Sequence, residues 1–148
     1  MPSARRRLNV SLDRRVALRL HRTTLRSRRL VYVIVQDRKI NYATGRSRVA
    51  YIGTTGVGAK RIGLSAAFRA PQVFAQRGVE ELEVRIVTCQ SRTNVRSWTK
   101  LERALLLTFR EMHGEPPICN VQGLRMKETD EFDYFSPSRL RRILEDLA

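Results

Sequence analysis

Cysteine is nearly absent: Cys89 and Cys119 are the only two, and they form no CxxC pair. His21 and His113 stand alone, so the residues that build zinc sites never cluster, which argues against a structural zinc. Two thiols in a chain long enough to bury its own core point to a reducing, cytoplasmic setting rather than a disulfide scaffold. Long hydrophobic runs are missing too. None approaches the roughly 20 apolar residues of a membrane span, and the basic N-terminus has no apolar stretch behind it of the kind a secretory signal carries. The chain holds no internal repeat and no low-complexity tract. It also lacks the interleaved aromatics of an RNP-type RNA-binding sheet, which ranks a ribosome-associated RNA-binding role below DNA binding. Lysine is scarce as well, at four residues against 25 arginines.

Positive charge dominates what remains. The net charge is +15 over 148 residues, while the 42% hydrophobic content is that of an ordinary globular protein. This length suits one domain. The arginine guanidinium is a planar fork of donors that pairs bidentately with phosphate oxygens. An arginine-rich basic globule therefore points to a polyanionic partner, double-stranded DNA first and RNA second, and to a nucleoid-associated location in a bacterial-type cytoplasm. Residues 1–30 hold ten arginines and a single acid, Asp13. Ser11 as a cap and the spacing of Leu12, Val16 and Leu20 suggest a basic helix or arm over residues 1–29. Arg5, Arg6, Arg7, Arg14 and Arg15 are its candidate nucleic-acid contacts, and a domain over residues 30–148 follows.

Within that domain, "LVYVIVQ" from Leu30 to Gln36 reads as a buried strand. A long irregular connection with Gly45 as its pivot precedes a second strand from Arg48 to Gly53, making an antiparallel hairpin. Ala59 to Arg69 has helix-forming composition and is expected to stop before Pro71. Glu81 to Cys89 alternates, with Leu82, Val84 and Ile86 on one face. The strongest helix runs from about Asn94 to Met112, with Gly114 as its stop. Ser136 and Pro137 open a C-terminal helix. The order is helix, strand, strand, helix, strand, helix, helix.

The stretch "VAYIGTTGVGAKRIG" at 49–63 looks like a phosphate-binding loop but fails the test. Gly53 and Gly58 have the right separation, yet Ala59 intervenes before Lys60, and Arg61 stands where a magnesium-binding hydroxyl is needed. GTTGVG is also not a dinucleotide fingerprint. A different feature carries more. Trp98, Leu101, Leu105, Phe109 and Met112 form one apolar stripe on the long helix, and Glu102 falls inside it. A carboxylate there is costly without a cation, a metal or several donors. An ion pair with an arginine and a metal-binding role both remain open.

Tyr32 within Val31-Tyr32-Val33, Tyr51-Ile52-Gly53, Arg61, Glu102 and Asn120, in that order, resemble the signature of the GIY-YIG endonuclease superfamily. The resemblance spans about residues 30–122. It departs at Val31, where the family has glycine, at Thr54, where lysine is common (Lys60 is a candidate substitute), and at Ser65, where tyrosine or histidine is common. It implies a small α/β (α+β) fold, a three-stranded antiparallel sheet flanked by helices. It also implies metal-dependent hydrolysis of DNA phosphodiesters. By the resemblance, Glu102 holds one Mg²⁺ or Mn²⁺, Arg61 clamps the phosphate, Tyr51 is the candidate base with Tyr32 beside it, and Asn120 orients Glu102 or fixes a turn. A non-catalytic nucleic-acid-binding module on a degenerate nuclease scaffold is the alternative.

Overall fold

The computed structural model describes residues 7–21 and 28–148. Its elements are β1 (Leu30–Asn41), β2 (Arg46–Thr55), α1 (Ala59–Phe74), β3 (Leu82–Val87), α2 (Ser97–His113), α3 (Glu131–Tyr134) and α4 (Pro137–Leu147). The strands form one antiparallel sheet in the order β2-β1-β3. This is the α+β fold expected from the sequence, a three-stranded antiparallel sheet flanked by helices.

β1 is central and its first seven residues are all buried, which is why it reads as an unbroken apolar run rather than an alternating one. The period of two puts Leu30, Tyr32 and Ile34 on one face and Val31, Val33 and Val35 on the other. Leu30 and Tyr32 pack with Ile62 of α1. Val31, Val33 and Val35 share the main core with Leu101, Ala104 and Leu105 of α2 and Leu140 and Leu144 of α4. β3 lies at the edge, with half-buried Leu82, Val84 and Ile86 alternating with exposed Glu83 and Arg85.

Four expectations need correction. The hairpin connection is short, not long: β1 continues to Asn41 and the turn is Tyr42–Gly45, closed by Tyr42 N–H donating to the Gly45 carbonyl at 3.0 Å. The polar stretch Asp37–Lys39 hid this continuation because it bulges out of register with β2 and is exposed. α1 does not stop at Pro71 but runs through it to Phe74, and the extra turn buries Val73 completely. Proline there removes one backbone donor on an exposed position, a cost the packing of Val73 offsets. α2 starts later than expected, at Ser97, because residues 92–95 close a tight turn with Asn94 at φ 61°. Finally, residues 7–21 carry no helix. Leu12, Val16 and Leu20 are all exposed, and a short helix with no surface to bury its apolar face is marginal in water. Arg7, Arg14 and Arg15 are exposed, and Arg5 and Arg6 lie outside the described residues.

Two helix ends follow the sequence closely. Gly114 takes the left-handed conformation at φ 77° and donates its N–H to the Arg110 carbonyl at 2.7 Å. Ser136 caps α4 by accepting the Arg139 N–H at 3.4 Å, with Pro137 in the first turn. The acidic segment after residue 127 is tied inward. Lys100 donates to Asp130 at 2.6 Å, and Arg103 donates to the fully buried Glu131 at 2.6 Å.

Candidate active site

The antiparallel register brings together one end of the sheet: the start of β1, the end of β2 and the start of α1. Tyr32 pairs with Gly53, and Ile34 with Tyr51. Cross-strand partners share a face, so the two phenols stand side by side with Gly53 beneath them. Their ring centroids are 5.9 Å apart. The absence of a side chain at 53 permits this. A Cβ there would lie 2.6 Å from Tyr51 Cε1 and 2.8 Å from the Tyr32 hydroxyl. The glycine that first suggested a phosphate loop is therefore a strand glycine that makes room for two tyrosines.

Tyr32 is buried and donates its hydroxyl to Ser65 Oγ of α1 at 2.6 Å. Burial pushes its pKa up to about 12; the Ser65 bond opposes the rise, neighbouring Tyr51 adds to it, and Arg61 opposes it. Arg61 is thus within electrostatic reach of Tyr32, with its side chain exposed one turn before Ser65. Lys60 is exposed beside it. Ser65 and Thr54 stand at two of the positions where the sequence departs from the pattern it resembles, and Thr54 donates to the Leu30 carbonyl at 3.0 Å and braces the strand end.

The sequence reading missed Arg69. Its guanidinium carbon lies 4.3 Å from the Tyr51 ring centroid, and its Nη1 donates to the Cys119 carbonyl at 3.1 Å. Arg61, Ser65 and Arg69 recur every four residues along α1, the spacing that places side chains on one helix face. That period was available in the sequence.

Asn120 orients the strand, not Glu102. Its Oδ1 accepts the Ile52 N–H at 2.9 Å and its Nδ2 donates to the Ile52 carbonyl at 2.8 Å. Tyr51 and Gly53 point their backbone groups toward β1, so Ile52 points its own outward from the sheet. Cys119 N–H donates to the Ala50 carbonyl at 2.9 Å next to this pair. Residues 119–120 therefore act as a two-residue partner for the outer edge of β2 and hold the Tyr51–Gly53 segment in place.

Glu102 stands apart. It is half-buried on the second turn of α2, in the other layer of the fold, and it makes no hydrogen bond or ion pair among the described residues. Burial raises its pKa to about 7, opposed by Arg103. No bond joins it to Tyr32, Tyr51 or Arg61; it shares with them the end of the sheet at which α1 and α2 both begin. Among the described residues no group of three or more His, Cys, Asp or Glu side chains is placed to hold a metal. Cys89 and Cys119 are free thiols. No helix of the described residues is long and apolar enough to cross a membrane.

Comparison of the chain with protein-family profiles, with curated proteins and with solved structures gave no match.

Proposed function

We propose that the protein is a divalent-metal-dependent endonuclease that hydrolyses DNA phosphodiester bonds in the manner of the GIY-YIG superfamily. The observation that carries this reading is Tyr32 of β1 and Tyr51 of β2 side by side over Gly53, with Arg61 of α1 close enough to act electrostatically on Tyr32. Phosphodiester hydrolysis requires a deprotonated nucleophile and neutralisation of charge on the phosphoryl oxygens. Arg61, exposed on the first turn of α1, supplies a bidentate contact to phosphate. Tyr51 is the candidate to take the proton from the attacking water, as the phenol with a guanidinium over its ring. Tyr32 is spent on Ser65 and too strongly held in its protonated form to serve as base. Its role is to fix the position of Tyr51. Glu102 fits a hard divalent ion, because among the described residues it is a carboxylate in no ion pair, and such ions take one or two carboxylates and complete their shell with water and phosphate. When bound, that ion neutralises charge developing on the phosphate.

Incubation with supercoiled plasmid and Mg²⁺ or Mn²⁺ tests the reading. The wild type is expected to nick, and Glu102→Ala to nick about a hundredfold more slowly or worse while still retarding DNA. No nicking with either ion across a range of salt overturns it. The separation of Glu102 from the phenols favours a second reading, a nucleic-acid-binding module without turnover. That reading predicts steeply salt-dependent binding and no cleavage.

A further inference from the structure

A depression of about 690 Å³ opens at the start of α2, lined by Arg29, Arg92, Thr93, Asn94, Arg96 and Trp98. Three of these side chains are guanidiniums, and two of them are organised by the indole. The Arg29 guanidinium carbon lies 4.7 Å from the Trp98 ring centroid and that of Arg96 lies 5.6 Å from it. An aromatic face attracts a guanidinium, so Trp98 gathers cations that would otherwise repel one another. Arg92 is aimed by the 92–95 turn, where Asn94 takes positive φ, and its guanidinium carbon lies 5.5 Å from the Tyr134 ring. The start of α2 adds to the field. Arg96 at the head of α2 gives no side-chain cap, and the first turn has no acid. Arg96 and Trp98 both line the depression and open α2, so the positive end of a seventeen-residue helix lies beside it.

We propose that this depression is a subsite for a backbone phosphate of the bound nucleic acid, separate from the one at Arg61. The class of ligand follows from the donors: several forked cations beside the positive end of a helix match the oxygens of a phosphodiester. Its place follows from the fold. Trp98 lies one turn before Glu102 on α2, and Arg29 is where the basic N-terminal segment joins β1. The subsite therefore continues the candidate active site along the sheet end toward the arm. This inference rests on the nucleic-acid part of the proposed function and is independent of hydrolysis.

Trp98 is the chain's single tryptophan, so its emission reports on this depression. The full-length protein, in buffer without divalent metal, is titrated with a short DNA duplex. Trp98 emission and the anisotropy of a labelled copy of the duplex are followed together, and inorganic phosphate is titrated separately. Emission is expected to change saturably with the same midpoint as anisotropy. The Arg92→Ala/Arg96→Ala variant should bind about tenfold more weakly and flatten the salt dependence by about two charges. Arg92→Lys/Arg96→Lys, which keeps the charge, should recover most of the affinity and separates the removal of a phosphate partner from a failure to fold. Anisotropy that rises without an emission change overturns the subsite, and so does unaltered binding by the alanine variant. Inorganic phosphate that gives the full emission change while the duplex stays bound marks a free-phosphate site and overturns the nucleic-acid assignment. Plasmid nicking without a Trp98 response sinks the subsite alone. A Trp98 response without nicking sinks hydrolysis and leaves the subsite standing.

Discussion

Gly53 and Glu102 are the two residues at which sequence economy and site chemistry meet. At Gly53 the constraint is steric. A methyl group would press on both rings at 2.6–2.8 Å, and neither ring can simply swing away, because Tyr32 is buried and bonded to Ser65 and Tyr51 lies under Arg69. Gly53→Ala should therefore cost about 1–3 kcal/mol of stability, as overpacking does, and should impair nicking beyond what that loss explains. Thermal melts beside plasmid assays measure both, and a variant that melts and nicks like wild type removes the packing argument. At Glu102 the constraint is electrostatic. Its pKa lies at about 7 in the folded chain against an ordinary value of 4.5. Between those values the folded chain binds more protons than the unfolded one, so stability falls as pH rises through that window and levels off above it. Glu102→Gln should match the wild type at pH 4 and exceed it at pH 8 by about 1–3 kcal/mol, read as a Tm higher by several degrees. Adding Mg²⁺ should raise the wild-type Tm and leave the glutamine variant unmoved. A Tm gap that is the same at both pH values would show that this carboxylate is not strained by burial.

Among the elements, β2 is held from both sides: by β1 through its ladder and by residues 119–120 along its outer edge. Asn120 is the centre of that outer grip. Asn120→Ala leaves the Ile52 amide and carbonyl without their partner and should cost about 1–3 kcal/mol. Asn120→Asp keeps the acceptor for Ile52 N–H but sets a carboxylate against the Ile52 carbonyl, so it should rescue little. Hydrogen exchange at Ile52 checks this directly, with faster exchange expected in both variants; an aspartate variant as protected as wild type would mean the second bond contributes nothing. This clamp was invisible in the sequence because its partners are 68 residues apart and an asparagine after two prolines reads equally well as a turn residue. Elements whose signal is local were legible. The period-two pattern gave β3, the apolar stripe gave α2 and the Ser136–Pro137 pair gave the start of α4. Elements decided by distant packing were not. α1 passes Pro71 because Val73 finds a core, β1 continues through Asp37–Lys39 because the hairpin closes only at Gly45, and the Ser11–Leu20 helix is absent because no surface receives it. At the site, the tyrosines, Arg61 and Gly53 were named from an ordered pattern, whereas Arg69 needed the helix to bring it over Tyr51.

At the scale of the whole molecule the charges divide into two populations. The acids after residue 127 look in the sequence like a patch that a partner or the basic arm would neutralise. Instead Asp130 and Glu131 are spent on Lys100 and Arg103 of α2. Glu131 is buried, which by itself raises its pKa, but the Arg103 bond and the donors of Thr129 outweigh this and bring it down to about 2. Its contribution to stability is complete above the ordinary 4.5 and is lost as pH falls toward 2. With those two acids paired to α2, the excess of arginine has few acidic partners among the described residues, and residues 7–21 are all exposed. Charge there serves the surroundings of the protein rather than its core. Replacing Arg7, Arg14 and Arg15 together by alanine should accordingly leave stability within about 0.5 kcal/mol of wild type. The same variant should weaken DNA binding at low salt and lower the slope of log affinity against log salt by up to about three, one for each phosphate no longer neutralised. Binding isotherms at several salt concentrations measure the slope. A slope identical to that of wild type would show that these three arginines do not reach DNA.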